Sequence, residues 1–286
     1  MKIVPRYDGP PIVTLAADAR GGGAGVGDAF LRQRRRFLGT LGALADDDWR
    51  SPSRCEGWTV QDVAIHLEGV NRFWHLSIAS GLAGEPTRYL ADFDPKATPA
   101  AMVDAVGSPP PAETLASLTE SSEALCDAVA ELDPEQWSAI AEAPAGHLPI
   151  RLLVHHALWD CWIHERDVAL PLGLPLAEES DEVMACLRFS AALGPAFAVD
   201  QGLSTPAALV LETTDPDGCV VVEVTDHVAV SDRSGPDHPA DGATVVVRDT
   251  AVNLVEALSA RAPLAYDVPD EHRWLLATLG TVFESA

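Results

Sequence analysis

The segment from Leu152 to Leu170, LLVHHALWDCWIHERDVAL, sets His156, Asp160 and His164 at every fourth position among large apolar residues. Four residues advance an α-helix by about 400°, so these three side chains stack along one stripe. Trp159, Trp162 and Ile163 flank the stripe and Leu153, Ala157 and Val168 extend the apolar surroundings, where unpaired polar groups are costly. Two kinds of partner would satisfy them. One is a set of polar groups on a facing helix; the other is a metal ion, because imidazole and carboxylate are ordinary ligands for a zinc-like ion and an i, i+4 pair can reach one centre. Either requires further helices around this one.

Those helices are readable from apolar periodicity. Asp28 to Leu44 carries Phe30, Phe37, Leu38, Leu41 and Leu44 at helical spacing, with Arg32, Arg34, Arg35 and Arg36 expected on a solvated face. Thr59 is a good helix N-cap with Asp62 three residues on, and Val60, Val63, Ala64, Leu67 and Val70 continue as a stripe with His66 beside it. Glu113 to Leu132 is a third helix, and the fourth runs from Ile150 to about Pro171. Gly81 to Thr98, rich in Gly and Pro and containing Arg88 and Tyr89, reads as a long connection. Residues 1–27 read as an arm whose segment Ile12 to Leu15 could add as a strand to a sheet edge.

After Pro171 the pattern changes. Ser180 to Leu193 is helical; Ala207 to Thr213, Cys219 to Thr225, His227 to Ser231 and Ala243 to Val247 are short β-branched runs; Ala251 to Ser259 and Glu271 to Phe283 return to helical spacing. The expected fold is α+β: an N-terminal four-helix bundle over residues 28–172, then a small antiparallel-sheet α+β domain over residues 180–286.

Composition excludes several classes of function. With 43 acidic and 19 basic residues the net charge is −24, which repels polyphosphate backbones and anionic membrane faces, so neither nucleic acid nor membrane is an expected partner. No run of 18 apolar residues free of charge or proline is present to span a bilayer. Five widely spaced cysteines without a CxxC suggest neither a disulfide framework nor a zinc knuckle, and a reducing cytoplasmic setting is expected, with the chain a monomer or homodimer.

His66 supplies the missing direction for the site. A donor set of His66, Asp160 and His164 leaves a coordination position open; His156, one turn further along, is placed beside the metal, and Glu68, Glu165 or Asp167 can orient a ligand imidazole. Two motifs then carry a resemblance: CEGWTVQDVAIHLEG, from Cys55 to Gly69, and HHALWDCWIHERDVALPLG, from His155 to Gly173. Together they resemble the mycothiol-dependent maleylpyruvate isomerase family, whose N-terminal half is a DinB-like metal-binding four-helix bundle. The resemblance implies a divalent metal, usually zinc, on His66, Asp160 and His164, and mycothiol as a thiol cosubstrate for a small electrophilic substrate. The isomerases carry Glu where this chain has Asp160, a reach shorter by one methylene. In the C-terminal half DTAVNLVEALSAR resembles a family helix ending in an arginine at the thiol or substrate site, which implies that role for Arg261. Arg72, Arg88 or Arg261 would have to line the pocket if the substrate is strongly anionic. The implied function is a metal-dependent thiol transferase or isomerase; a non-catalytic DinB-like metal or small-molecule binder is the alternative.

Overall fold

The structure, a computed structural model, describes residues 5–15, 24–202, 205–233 and 243–277. Its elements in chain order are strand β1 (Val13–Leu15), helices α1 (Ala24–Gly42), α2 (Val60–Leu82), α3 (Ala97–Val106) and α4 (Pro111–Ala130), the hairpin β2 (Ile140–Ala143) and β3 (Gly146–Pro149), and helices α5 (Ile150–Ala169) and α6 (Ser180–Asp200). Strands β4 (Ala207–Thr214), β5 (Asp217–Val224), β6 (Val228–Asp232) and β7 (Ala243–Asp249) follow, then helix α7 (Ala251–Leu258).

Helices α1, α2, α4 and α5 pack into the expected bundle. Its centre is α5, in which Arg151, His156 and Asp160 are the only residues of the twenty that are not buried. The heavy apolar content around the stripe dictates this: a helix with Leu, Trp, Ile and Val on every side must be covered on every side. The expected connection from Gly81 to Thr98 runs into a short helix, α3, whose Pro99 sits in the first turn where no backbone donor is lost. The connector before α5 contains the hairpin, which closes one end of the bundle against α2 and α5.

Of the four arginines of α1, Arg32 and Arg35 are exposed as expected, and Arg34 and Arg36 are not. Arg34 is 2% exposed and donates to the Ala157 carbonyl, while Arg36 bonds both Glu165 of α5 and Glu182 of α6. Helix α6 packs beside α5, so Arg32 and Arg36 meet the carboxylates of Glu182 and Glu165.

The C-terminal sheet has the order β1-β6-β5-β4-β7. It is antiparallel through β6, β5 and β4, as expected, and gains a parallel strand at each edge: β7 beside β4, and β1 of the arm beside β6. Helix α6 extends seven residues beyond the expected Leu193, past Pro195; it packs on β5 and β6 of the sheet, and α7 packs against α6. Helix α6 is the one described helix long and apolar enough to cross a membrane, and 72% of its apolar window is buried inside the fold. The expected helix from Glu271 begins as a 3-10 turn over Asp270–Leu275; its remainder from residue 278 lies outside the described residues. A continuous apolar core links bundle and sheet, running from Trp74, Leu158 and Trp162 through Leu187 to Leu209 and Leu254.

Candidate metal site

His66 owes its position to the start of α2. The Thr59 side chain accepts from the Asp62 amide at 3.2 Å and the Thr59 amide donates to Asp62 Oδ2 at 2.8 Å, the reciprocal capping box that the sequence suggests. The chain enters this cap through Trp58, whose ring lies 5.3 Å from that of His66 and limits its rotation. Two turns into α2, His66 points at α5.

There it meets the stripe. Asp160 Oδ2 lies 3.9 Å from His66 Nε2, Asp160 Oδ1 lies 3.6 Å from His164 Nε2, and the two imidazole centroids are 5.0 Å apart. These separations exceed hydrogen-bond length, yet one donor atom from each residue falls within 4.8 Å of the others. Asp160 Oδ2 is buried with no hydrogen-bond partner. A desolvated carboxylate oxygen without a partner is expensive unless a ligand completes it, and two imidazoles with a carboxylate form a donor set suited to zinc and other first-row divalent ions. The residues fit a divalent metal on these two counts.

Behind His164 a second group closes the arrangement. His164 Nδ1 lies 3.1 Å from Asp167 Oδ2, which holds a proton on Nδ1 and orients Nε2 toward Asp160, the atom that would give up its own proton to bind an ion. Asp167 is held in turn by Arg261 at 2.9 Å and by Arg54 at 3.2 Å, and accepts from the Cys55 thiol at 3.2 Å. Arg261 Nη2 also reaches Cys55 Sγ at 3.6 Å. Arg261 is set by the end of α7, where Ala260 turns into the left-handed region at φ 56°. Cys55, His164 and Asp167 form another donor cluster, but two guanidinium groups already lie on its carboxylate and would repel a cation.

Electrostatics follow this layering. Burial pushes the His66 imidazole down, against the pull of Asp160. Burial opposes ionisation of Asp160, but His66 and His164 outweigh it and hold the carboxyl below its usual range. Burial likewise opposes the charge on His164, and Asp167, Cys55 and Asp160 overcome it, pushing the imidazole up to about 10. His156, whose main influence is burial, is pushed down to about 4 and stays neutral at pH 7.

A cavity of about 960 Å³ opens beside the donors, lined by His66, Asp160 and His164 and by Cys55, Arg261 and His156. His156 is in its wall, stacked on Phe189 of α6 at 4.6 Å. Arg88 is elsewhere: it pairs with Asp8 at 3.2 Å and lies over the Tyr7 ring. Arg72 pairs with Glu68 on the outside of α2, so neither orients the site, and Glu165 serves Arg36. Of the three acids proposed as orienting groups, Asp167 alone contacts a donor imidazole among the described residues. Sequence reasoning did not give a site role to Cys55, Arg54 or Phe189. Cys55 and Arg54 had a signal, their place immediately before Gly57-Trp58; Phe189 had none, since it faces the cavity from a helix that reads as generic core.

The mycothiol maleylpyruvate isomerase N-terminal domain family matches residues 30–169. The crystal structure of the mycothiol-dependent maleylpyruvate isomerase shares the fold at TM-score 0.60 and 17% identity, over 87% of this chain and 95% of that one. A His-to-Ala mutant of that isomerase aligns over the same shares at TM-score 0.59 and 16% identity. YfiT from Bacillus subtilis, a probable metal-dependent hydrolase with an unusual four-helix bundle topology, aligns over 59% of this chain and 95% of its own at 17% identity and TM-score 0.44. No curated protein matches the chain in sequence. Residues 30–169, which carry His66, Asp160 and His164 on α2 and α5, belong to the mycothiol maleylpyruvate isomerase N-terminal domain family.

Proposed function

We propose that this chain is a divalent-metal enzyme that uses a low-molecular-weight thiol, mycothiol, in an isomerase or transferase reaction on an electrophilic substrate. The observation that carries the reading is the orphaned Asp160 Oδ2, set between His66 and His164 at the wall of the cavity. The family match over the bundle and the fold shared with the isomerase support the choice of thiol chemistry.

His66, Asp160 and His164 would hold the ion, with zinc the first candidate from the donor set. A divalent ion there supplies a Lewis acid that lowers the pKa of a bound thiol, making it a nucleophile at neutral pH. The protein's own groups do the rest. Asp167 holds the His164 tautomer, and Arg261 and Arg54 hold Asp167. Arg261 lines the cavity beside Cys55 and places a cationic group where thiol and substrate meet. Trp58, Trp159 and Phe189 exclude water from the donors' surroundings.

Metal analysis of protein purified without chelator tests the site: about one ion per chain is expected, removed by His66→Ala and by Asp160→Ala. Metal content unaffected by either substitution would overturn it. Incubation of the metal-loaded protein with mycothiol and electrophiles is expected to give an isomer or S-conjugate; metal binding without turnover across the panel would favour a binding protein built on the same bundle.

A further inference from the structure

The cavity is much longer than the donor cluster needs. Its α5 wall runs from His164 through Asp160 and His156 to Leu152, twelve residues or about 18 Å of helix. Beyond Asp160 its chemistry changes. The far arm is walled by Leu152 of α5, Leu148 of the hairpin, Ile12 beside β1, and Leu193, Ala196 and Phe197 of α6. Between arm and donors stands a set of rings: His156 stacked on Phe189 with 27° between planes, and Trp159 at 5.3 Å from Phe189. His156 is neutral at pH 7, and the Trp159 indole N–H is already bonded to Ser259 Oγ at 2.8 Å. The arm therefore offers faces and edges of uncharged rings, with the Trp159 N–H already engaged.

Charge is distributed to match. The arginines beside the donors are each engaged by buried acids, Arg261 by Asp167 at 2.9 Å and Arg54 by Glu256 at 2.6 Å. Glu56, Lys96 and Asp200, which complete the charged lining, are exposed, so their charge stays in water at the rim. A substrate bearing two carboxylates would find no unengaged buried cation along the arm among the described residues and would give up its hydration for apolar walls. A neutral, ring-bearing substrate would lose nothing and bury its surface, in a cavity at the upper end of the 300–1,000 Å³ range of ligand sites.

The geometry points to a neutral, aryl-bearing electrophile as the substrate class, its ring held in the arm against His156, Phe189 and Leu193 and its reactive carbon toward His66, Asp160 and His164. This rests on the metal and thiol reading of the donor end, and the test separates the two. Metal-free protein titrated with N-phenylnaphthylamine, a neutral aromatic fluorophore, is expected to bind it saturably. Ala196→Trp, which fills the arm, and Leu193→Gln, at a half-buried position, should each weaken binding about tenfold with unchanged circular dichroism, while His66→Ala leaves it within about twofold. With metal and thiol present, benzylideneacetone, which takes the thiol S–H across its double bond, should be turned over with higher kcat/KM than maleate, and Ala196→Trp should abolish that preference. Probe binding indifferent to both arm substitutions, or a higher kcat/KM for maleate, overturns the inference and leaves the metal reading intact. Turnover of neither compound, with probe binding still lost in Ala196→Trp, removes the thiol reading and keeps the arm as an aryl-binding site.

Discussion

On the side of α5 that faces α1, α6 and α7, the buried charges of Glu165 and Arg166 are closed by partners. Glu165 accepts from Arg36 through both oxygens and from Gln33 at 3.1 Å; Arg166 bonds Glu256 at 2.6 Å and Glu178 at 2.8 Å and stacks on Trp162. His155 is closed as well, with Nδ1 donating to the Arg151 carbonyl at 2.9 Å. Along the stripe of the same helix, Asp160 keeps a buried oxygen without a partner, and its imidazole neighbours stand beyond hydrogen-bond distance. Both sides are desolvated by the same core, so burial alone does not mark a site. What separates them is satisfaction: scaffold carboxylates have their donors built in, and the stripe is short of one.

The comparison is broken most sharply by removing one group from each side. Arg36→Ala removes the guanidinium shared by Glu165 and Glu182, which are 3% and 0% exposed, leaving Gln33 on the one and Arg32 on the other, and should cost about 3 kcal/mol in urea unfolding. Asp160→Asn in metal-free protein removes a carboxylate that His66 and His164 favour by charge alone, across separations beyond hydrogen-bond length, and should cost less, about 1–2 kcal/mol. Equal costs for the two would erase the distinction between scaffold and site.

Asp167 belongs to both descriptions, since it lies on the stripe side yet is fully partnered by His164, Arg54, Arg261 and Cys55. If its role is to orient His164, Asp167→Asn should weaken zinc affinity about 10–100-fold in chelator competition, with Arg261→Lys falling between it and the wild type. Unchanged affinity in Asp167→Asn would place Asp167 with the scaffold.

The stripe, the bundle and the His66 direction were legible because they rest on local periodicity: a four-residue repeat in α5 and a capping box that starts α2 at a defined residue. The edge strands were legible as strands, but their parallel pairing was not, because β1 and β6 are more than two hundred residues apart in sequence and nothing local selects the partner. Arg36 of α1, expected on a solvated face, departed from it for a similar reason. Its counterions Glu165 and Glu182 lie on helices that read as separate units, and a basic face is solvated only when nothing acidic covers it. Arg261 was reached by resemblance and Arg54 was not, although both meet on Asp167, because an ion pair across ninety or more residues leaves no spacing to read.

His155 supplies the smallest effect and tests the closed side by pH. Burial pushes its pKa down to about 4, from an ordinary 6.5. Above 6.5 both folded and unfolded chains hold it neutral. Between 6.5 and 4 the unfolded chain takes up a proton that the folded chain refuses, so this residue's contribution to stability is present at pH 7 and lost as pH falls, by about 2 kcal/mol at pH 5. His155→Gln cannot titrate. Measured by urea unfolding, the variant should gain on the wild type by about 2 kcal/mol between pH 7 and pH 5, whatever fixed cost the substitution carries. A stability difference that does not move with pH would show that the folded protein accepts the proton at His155 in place. The ring would then have access to a counterion or to water, and the side of α5 taken here as closed would be open at this turn.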